Sequence, residues 1–343
     1  MTITKFSTTK LPSFLLASSS QLRYSMATSS PLHLRWISHQ AVEKKSWDKT
    51  LADINTHNEA EEADSHRAML TRDHPGATMA QLKSVEVAHH VPETWTDAAA
   101  QKTLHLVRYG FDLLTGYHHV PKGEENNPRY IMTREKWLER FVFLESVAGV
   151  PGMVGGMVRH LHSLRLLRRD RAWIETLLDE AYNERMHLIT FLSVYQPGWA
   201  MRGLLLLAQG TFFNLFFVAY LIMPRVCHRF VGYLEEEAVV TYSRCIEDIE
   251  AGRLPEWKTE PAPKIAKKYW KMGEDATMLD LIYYVRADES KHREVNHTFG
   301  NLDQKLDRNP YALRVEDNEQ RPQPASDFRY SKPAGWRRSE IAA

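Results

Sequence analysis

The sequence predicts an all-α protein, a four-helix bundle carrying two further apolar helices. Three observations predict it. Apolar residues recur at helical spacing in long runs bounded by Pro and Gly, and no stretch shows the alternation of a half-buried strand. A Glu-x-x-His pair occurs twice, in Asn183-Glu184-Arg185-Met186-His187 and in Asp288-Glu289-Ser290-Lys291-His292. Two more carboxylates stand at helical positions with apolar neighbours, Glu145 after Phe141-Val142-Phe143-Leu144 and Glu235 within Leu234-Glu235-Glu236-Glu237-Ala238.

Residues i and i+3 of a helix share a face, so each Glu-x-x-His brings a carboxylate and an imidazole to one point. Four-helix di-iron carboxylate bundles require one Glu from each of two helices and a Glu-x-x-His from each of the other two. Glu145 fits the first single position. Among the three consecutive glutamates Glu235 fits the second, because a seven-residue stride places His228, Glu235 and Tyr242 on one stripe. Four carboxylates inside a bundle do not stay ionised without cations. Carboxylates with two imidazoles and no thiolate suit iron or manganese better than zinc or copper.

In chain order, residues 1–42 contain no Asp or Glu, are rich in Ser, and spread Lys5, Lys10, Arg23 and Arg35 among apolar residues, the composition of a mitochondrial transit peptide. Residues 43–88 turn polar and charged and read as an N-terminal arm with little structure of its own. Residues 89–300 hold the bundle. A helix is expected from about Thr96 to Leu114, carrying Arg108 with Asp112 one turn later. A polar loop with Pro121 and Pro128 follows. A second helix runs from near Thr133 past Glu145 toward Leu167. Pro151 and the glycines around it allow close helix approach there, or else break the run into two shorter helices. The Glu184 helix extends from about Arg171 to Phe191 and stops at Gln196-Pro197-Gly198. Met201 to Met223 is the most apolar stretch and would pass by length as a membrane span. Pro224 begins the Glu235 helix, which reaches about Ile249, and Thr277 to His297 carries Glu289 and His292. Residues 301–343 are charged and proline-dotted and read as a C-terminal tail without fixed structure. A formal net charge of +1 gives no reason to expect nucleic acid as a partner. Cys227 and Cys245 have neither zinc-site spacing nor the density of a disulfide scaffold, so both read as reduced thiols.

The motifs around Glu145 (Leu144 to Val154, with Pro151-Gly152-Met153), Asn183 to Leu188, Leu234 to Tyr242, and Arg286-Ala287-Asp288-Glu289 with His292 resemble those of the mitochondrial alternative oxidases, the cyanide-insensitive ubiquinol oxidases, of the fungal or protist kind. The resemblance runs from about His89 to Phe299. It implies a ferritin-like bundle with a monotopic membrane-binding face and two iron ions held by Glu145, Glu184, His187, Glu235, Glu289 and His292. It further implies Tyr242 as the tyrosine that donates an electron and a proton while dioxygen is reduced. Arg108, Arg140, Leu144, Leu234 and Thr241 match a quinol pocket. Asn183, His228, Tyr269, Trp270 and Asp288 are expected behind the ligands, orienting them. The implied activity is oxidation of ubiquinol with reduction of dioxygen to water, without proton pumping, on the matrix side of the inner mitochondrial membrane. Partners are ubiquinol, dioxygen and membrane lipid, with a homodimer admitted. Alternatives are a plastid-type plastoquinol terminal oxidase, a ferritin-like metal-binding protein without quinol chemistry, and a structural membrane protein whose polar core residues only pair helices.

The apolar Met201–Met223 helix lies between the Glu184 and Glu235 helices. A single crossing is expected to part these two ligands by about the 30 Å hydrocarbon thickness. The helix is therefore expected to lie along one leaflet together with the Arg108 helix.

Overall fold

The structure is a computed structural model that describes residues 74–341 except 119, 122, 125, 126, 128, 129 and 313–321, and the backbone but not the side chain of residue 114. The transit segment and the arm up to residue 73 lie outside the described residues.

Helix α1 spans Met79–Lys83 and α2 spans Trp95–Thr115. Helices α3 (Arg134–Leu166), α4 (Trp173–Val194), α5 (Trp199–Ile222) and α6 (Pro224–Glu250) follow, then the short α7 (Lys264–Tyr269) and the long α8 (Met278–Asn301). Among the described residues the only β pairing is one bridge between Pro261 and Thr277. The helix starts are written in the chain. Thr94 with Asp97 and Thr277 with Asp280 form capping boxes at α2 and α8, and Pro224 opens α6, where its missing N–H costs nothing.

Helices α3, α4, α6 and α8 make the bundle, with α3 packed on α4 and α6 on α8. Helix α3 continues unbroken through Pro151, so the two-helix alternative does not arise. Tertiary packing explains this. A Cβ at Gly152 would lie 2.6 Å from the Leu177 carbonyl and 2.9 Å from the Ala181 nitrogen of α4, so only glycine permits this spacing of the two backbones. The same close approach aligns Gly149 with Glu184. Trp137, Phe141, Phe191, Tyr242 and Trp257 form a buried aromatic core at one end of the site.

Among the described residues two helices, α3 and α5, are long and apolar enough to cross a membrane. They differ in what surrounds them. Helix α3 is mostly inside the bundle, whereas α5 lies mostly exposed along its flank, with Leu207, Leu215, Val218 and Ile222 facing outward. Gln209 donates to the Ser146 carbonyl at 2.8 Å, and Tyr220 lies against Gly155. These contacts rise together along both chains, so α5 runs in the same direction as α3 where they pack. On α2, Leu106, Tyr109 and Leu113 make a second exposed apolar stripe.

Two segments expected to lack structure are packed. His74 is buried and α1 places Leu82 in the core, beneath α8. Residues 322–341 lie against α8: Trp336 donates its indole N–H to Glu294 at 3.0 Å, and the Lys332 amide donates to the same carboxylate at 2.8 Å. Gly335, at φ +77°, sits so close to His297 and Thr298 that a side chain would collide with their backbone. The reason composition misled is physical. A few anchors, Trp336, Tyr311 and the hydrogen bonds to one buried Glu294, hold a segment whose average character is that of a solvated tail.

Candidate metal centre

Glu145 comes from α3, Glu184 and His187 from α4, Glu235 from α6, and Glu289 and His292 from α8. All six converge inside the bundle. Their donor atoms form two groups, Glu145, Glu184, His187 and Glu289 in one and Glu184, Glu235, Glu289 and His292 in the other, with the atoms of each group within 4.8 Å of one another. Glu184 and Glu289 belong to both groups. His187 Nδ1 lies 3.2 Å from Glu289, 3.3 Å from Glu145 and 3.7 Å from Glu184, and His292 Nδ1 lies 2.6 Å from Glu184 and 3.5 Å from Glu289.

The arrangement fits a pair of cations. Both oxygens of Glu184, one oxygen each of Glu235 and Glu289, and His292 Nδ1 are buried without a hydrogen-bond partner among the described residues. His292 and Glu184 approach closely, yet not in the geometry of a hydrogen bond, so these atoms face a common point rather than one another. Leaving that many polar atoms unsatisfied costs on the order of 1–3 kcal/mol each, which coordination would offset. Burial, then the charges of Glu289 and Glu184, pushes the carboxyls of Glu145 and Glu235 well above their ordinary value. Burial works against the charged form of His187 and His292, but the surrounding carboxylates outweigh it and raise both. Without metal these carboxyls and imidazoles are driven to take up protons, the places that bound cations would fill instead.

Behind the ligands, Asp288 is the hub. It accepts from Trp270 Nε1 at 2.8 Å and from Asn183 at 3.0 Å, and pairs with His187 Nε2 at 3.2 Å and with His74 at 2.8 Å. Burial disfavours its charge, but His74 and His187 hold it well below the usual carboxylate range. With Nε2 taken by Asp288, His187 presents Nδ1 to the carboxylates. The Trp270 ring also stacks on His187 at 5.7 Å, and Tyr269 accepts from Asn183 at 2.9 Å. Tyr242, fully buried, donates its hydroxyl to Glu145.

His228 stands elsewhere. Its ring nitrogens go to Tyr220 at 3.0 Å and Asn296 at 3.1 Å instead of to a ligand carboxylate, because seven residues of helix carry it about 10.5 Å along the axis from Glu235. Burial keeps it neutral, with a pKa of about 3. The residues matched to a quinol pocket separate as well. Arg108 lines a cleft of about 810 Å³ between α2 and α6 with Asp112, Tyr117, Glu237 and Arg244, and pairs with Asp112 and Glu237. Arg140 is buried behind that cleft, 2.8 Å from Asp112 and stacked against the rings of Phe111 and Tyr117. Thr241 is buried with its hydroxyl on the Glu237 carbonyl, Leu144 is partly buried against the core, and Leu234 packs beside α2.

Two residues near the centre escaped the sequence reading. Glu180, one turn before Glu184 on the same face, is buried and donated to by Asn296 at 2.7 Å; its i−4 spacing was the available signal. His74 reaches Asp288 from 214 residues away, which no local pattern could show.

The family model for alternative oxidase matches residues 77–301. Among curated proteins, the mitochondrial alternative oxidase of Yarrowia lipolytica is 60% identical over 269 residues, 78% of this chain and 76% of that one. That of Aspergillus niger is 58% identical over the same shares, and that of Ajellomyces capsulatus is 49% identical over 332 residues, 96% of this chain and 88% of that one. All six residues of the buried Glu and His cluster lie inside the matched region, and the chain belongs to the alternative oxidase family.

Proposed function

We propose that the chain is a ubiquinol oxidase of the inner mitochondrial membrane, facing the matrix, that oxidises two ubiquinols and reduces dioxygen to two waters without pumping protons. The observation that carries this is the paired donor set in which Glu184 and Glu289 serve both groups. Glu145, Glu184, His187, Glu235, Glu289 and His292 would hold two irons, which when bound supply the redox chemistry linking quinol to dioxygen. Fungal relatives named as mitochondrial favour this over a plastid enzyme.

The chain's own residues divide the remaining work. Asp288, fixed by Trp270, Asn183 and His74, sets the ring orientation of His187. Tyr242 holds its proton toward Glu145 inside an aromatic wall of Phe141 and Phe191 that excludes water. Burial, then the charge of Glu145, raises the pKa of that phenol well above its ordinary value, which disfavours loss of its proton without an electron. In the α2–α6 cleft, Arg108 can donate to a quinol oxygen while apolar neighbours seat the ring. Helices α2 and α5 present their exposed apolar stripes to one leaflet, from which a quinol reaches that cleft. Oxygen uptake by the purified protein with a quinol, measured with and without cyanide, tests the reading. Cyanide-insensitive uptake is expected, and no uptake with iron fully loaded would sink it.

A further inference from the structure

A second cavity, of about 730 Å³, opens on another side of the bundle, between α4, α8 and the C-terminal segment. Glu180 and Asn183 of α4, Asp288 and His292 of α8, and Ala325 and Phe328 of the C-terminal segment line it. It shares no lining residue with the α2–α6 cleft. It also reaches the metal centre itself: His292 keeps 7% of its surface exposed, whereas Glu145, Glu184, His187, Glu235 and Glu289 keep 1% or less. The solvent-facing end is formed by charged and polar residues, among them Glu175 and Ser326.

We infer that this cavity is the aqueous port of the metal centre, the route by which product water leaves and solvent protons reach the His292 side. The inference rests on the quinol oxidase reading. In that reaction, 2 QH₂ + O₂ → 2 Q + 2 H₂O, the quinols supply four electrons and four protons, and two waters form in a site sealed from solvent on its other faces. Quinol and quinone exchange through the α2–α6 cleft, so water leaving that way would have to pass the ring. The second cavity has room for many waters, since each needs only about 15 Å³ of such space, and its inner wall of Glu180, Asn183, Asp288 and His292 offers the two to four polar partners that an ordered water requires. Its outer wall is residues 323–329, kept in place by the Glu294 contacts to Lys332 and Trp336, so the C-terminal segment sets the width of the port.

The test narrows the port without touching the centre. Ala325 is half-buried in the outer wall, and the chain's two cysteines are both buried, so Ala325→Cys gives one reactive thiol. The full-length, iron-loaded variant is labelled with a methyl or a benzyl methanethiosulfonate. Entry of deuterium to the metal centre after mixing with D₂O is then read by freeze-quenched pulsed EPR, alongside iron content and oxygen uptake. The benzyl label should slow deuterium entry about tenfold or more, the effect of an added barrier of about 1.4 kcal/mol. The methyl label should leave it unchanged, and iron content and the KM for quinol should stay put with either. Slowed entry supports the port whether or not turnover falls with it. Entry at the unlabelled rate in the benzyl-labelled protein overturns it. If the unlabelled protein oxidises no quinol, the functional reading falls, while deuterium entry still decides the port.

Discussion

The hydroxyl of Tyr242 donates to the carboxylate of Glu145, and both side chains are sealed from solvent. This bond ties a redox-capable phenol directly to a residue of the donor cluster. Tyr242→Phe removes only the oxygen, so the rings of Phe141 and Phe191 keep their packing and the stability cost is about 1 kcal/mol. Iron content should stay at the wild-type level while turnover falls about a hundredfold, within the range that a positioned proton donor contributes. Near-wild-type turnover would make Tyr242 a packing residue.

The shared position of Glu184 and Glu289 separates them from Glu145 and Glu235. Replacing a shared residue by Ala removes a donor from both groups, so Glu184→Ala and Glu289→Ala should lose activity and hold half the iron or less. Glu145→Ala and Glu235→Ala each spoil one group and should retain more metal. Metal analysis of the four variants decides this, and equal, full iron contents would remove the assignment.

Much of this centre was legible in the sequence because helical spacing is local. A Glu-x-x-His repeats its geometry wherever the helix continues, so Glu184, His187, Glu289 and His292 could be paired before any fold was known. Glu145 and Glu235 were legible as charges among apolar neighbours. What stayed hidden depends on chain segments meeting across the fold. His74 on Asp288, Trp336 on Glu294 and the Arg140–Asp112 pair behind the cleft have no sequence spacing to betray them. For His228 the stride gave the face but not the distance: it stands two turns from Glu235 and bonds Tyr220 and Asn296, whereas Tyr242, two turns the other way, meets Glu145.

Metal removal exposes a pH dependence at Glu180. Burial raises its pKa from 4.5 to about 7, with the charge of His292 pulling the other way. The folded metal-free protein therefore holds this proton more tightly than the unfolded chain does. That contribution is complete below pH 4.5 and is lost as pH rises through about 7. Its size is at most about 3 kcal/mol. Urea denaturation of the metal-free protein across this window should show stability falling with pH, and Glu180→Gln should flatten the fall. An unchanged slope in the variant would place the titration elsewhere.

Arg108 and Arg140 should behave differently despite sharing Asp112. Arg108 lines the cleft, so Arg108→Ala should lower kcat/KM for quinol about tenfold or more with iron retained. Arg140 is buried, and its removal takes away the closer of the two arginine partners of Asp112 and empties a packed site against Phe111 and Tyr117, so Arg140→Ala should cost about 3–5 kcal/mol of stability. Thermal unfolding and quinol kinetics on both variants test the split. A stability loss in Arg108→Ala as large as that in Arg140→Ala, with kinetics unaltered, would place the quinol elsewhere.

The membrane arrangement needs a different argument from the one the sequence suggested. Helix α5 doubles back along α3, so crossing a bilayer would not by itself part Glu184 from Glu235, which remain in one cluster. The obstacle is the bundle. A vertical α5 would carry the bundle into the hydrocarbon with it, and α4 with its exposed Glu175, Asp179 and Arg185 is part of that bundle. Each such charge costs about 2.5–3.5 kcal/mol at the bilayer centre by insertion scales. Lying flat instead, α5 would bury Leu207, Leu215, Val218 and Ile222 in one leaflet, α2 would bury Leu106, Tyr109 and Leu113, and the charged face of α4 would stay in water. Protease added to sealed, right-side-out inner-membrane vesicles should therefore cut nothing, while inverted vesicles should lose both chain ends. High salt should not release the protein, because apolar burial and not charge holds it. Removing the exposed leucines of α5, as in Leu207→Gln with Leu215→Gln, should shift it toward the soluble fraction with its iron retained. A protected fragment with one end cut from each side would refute the one-leaflet arrangement.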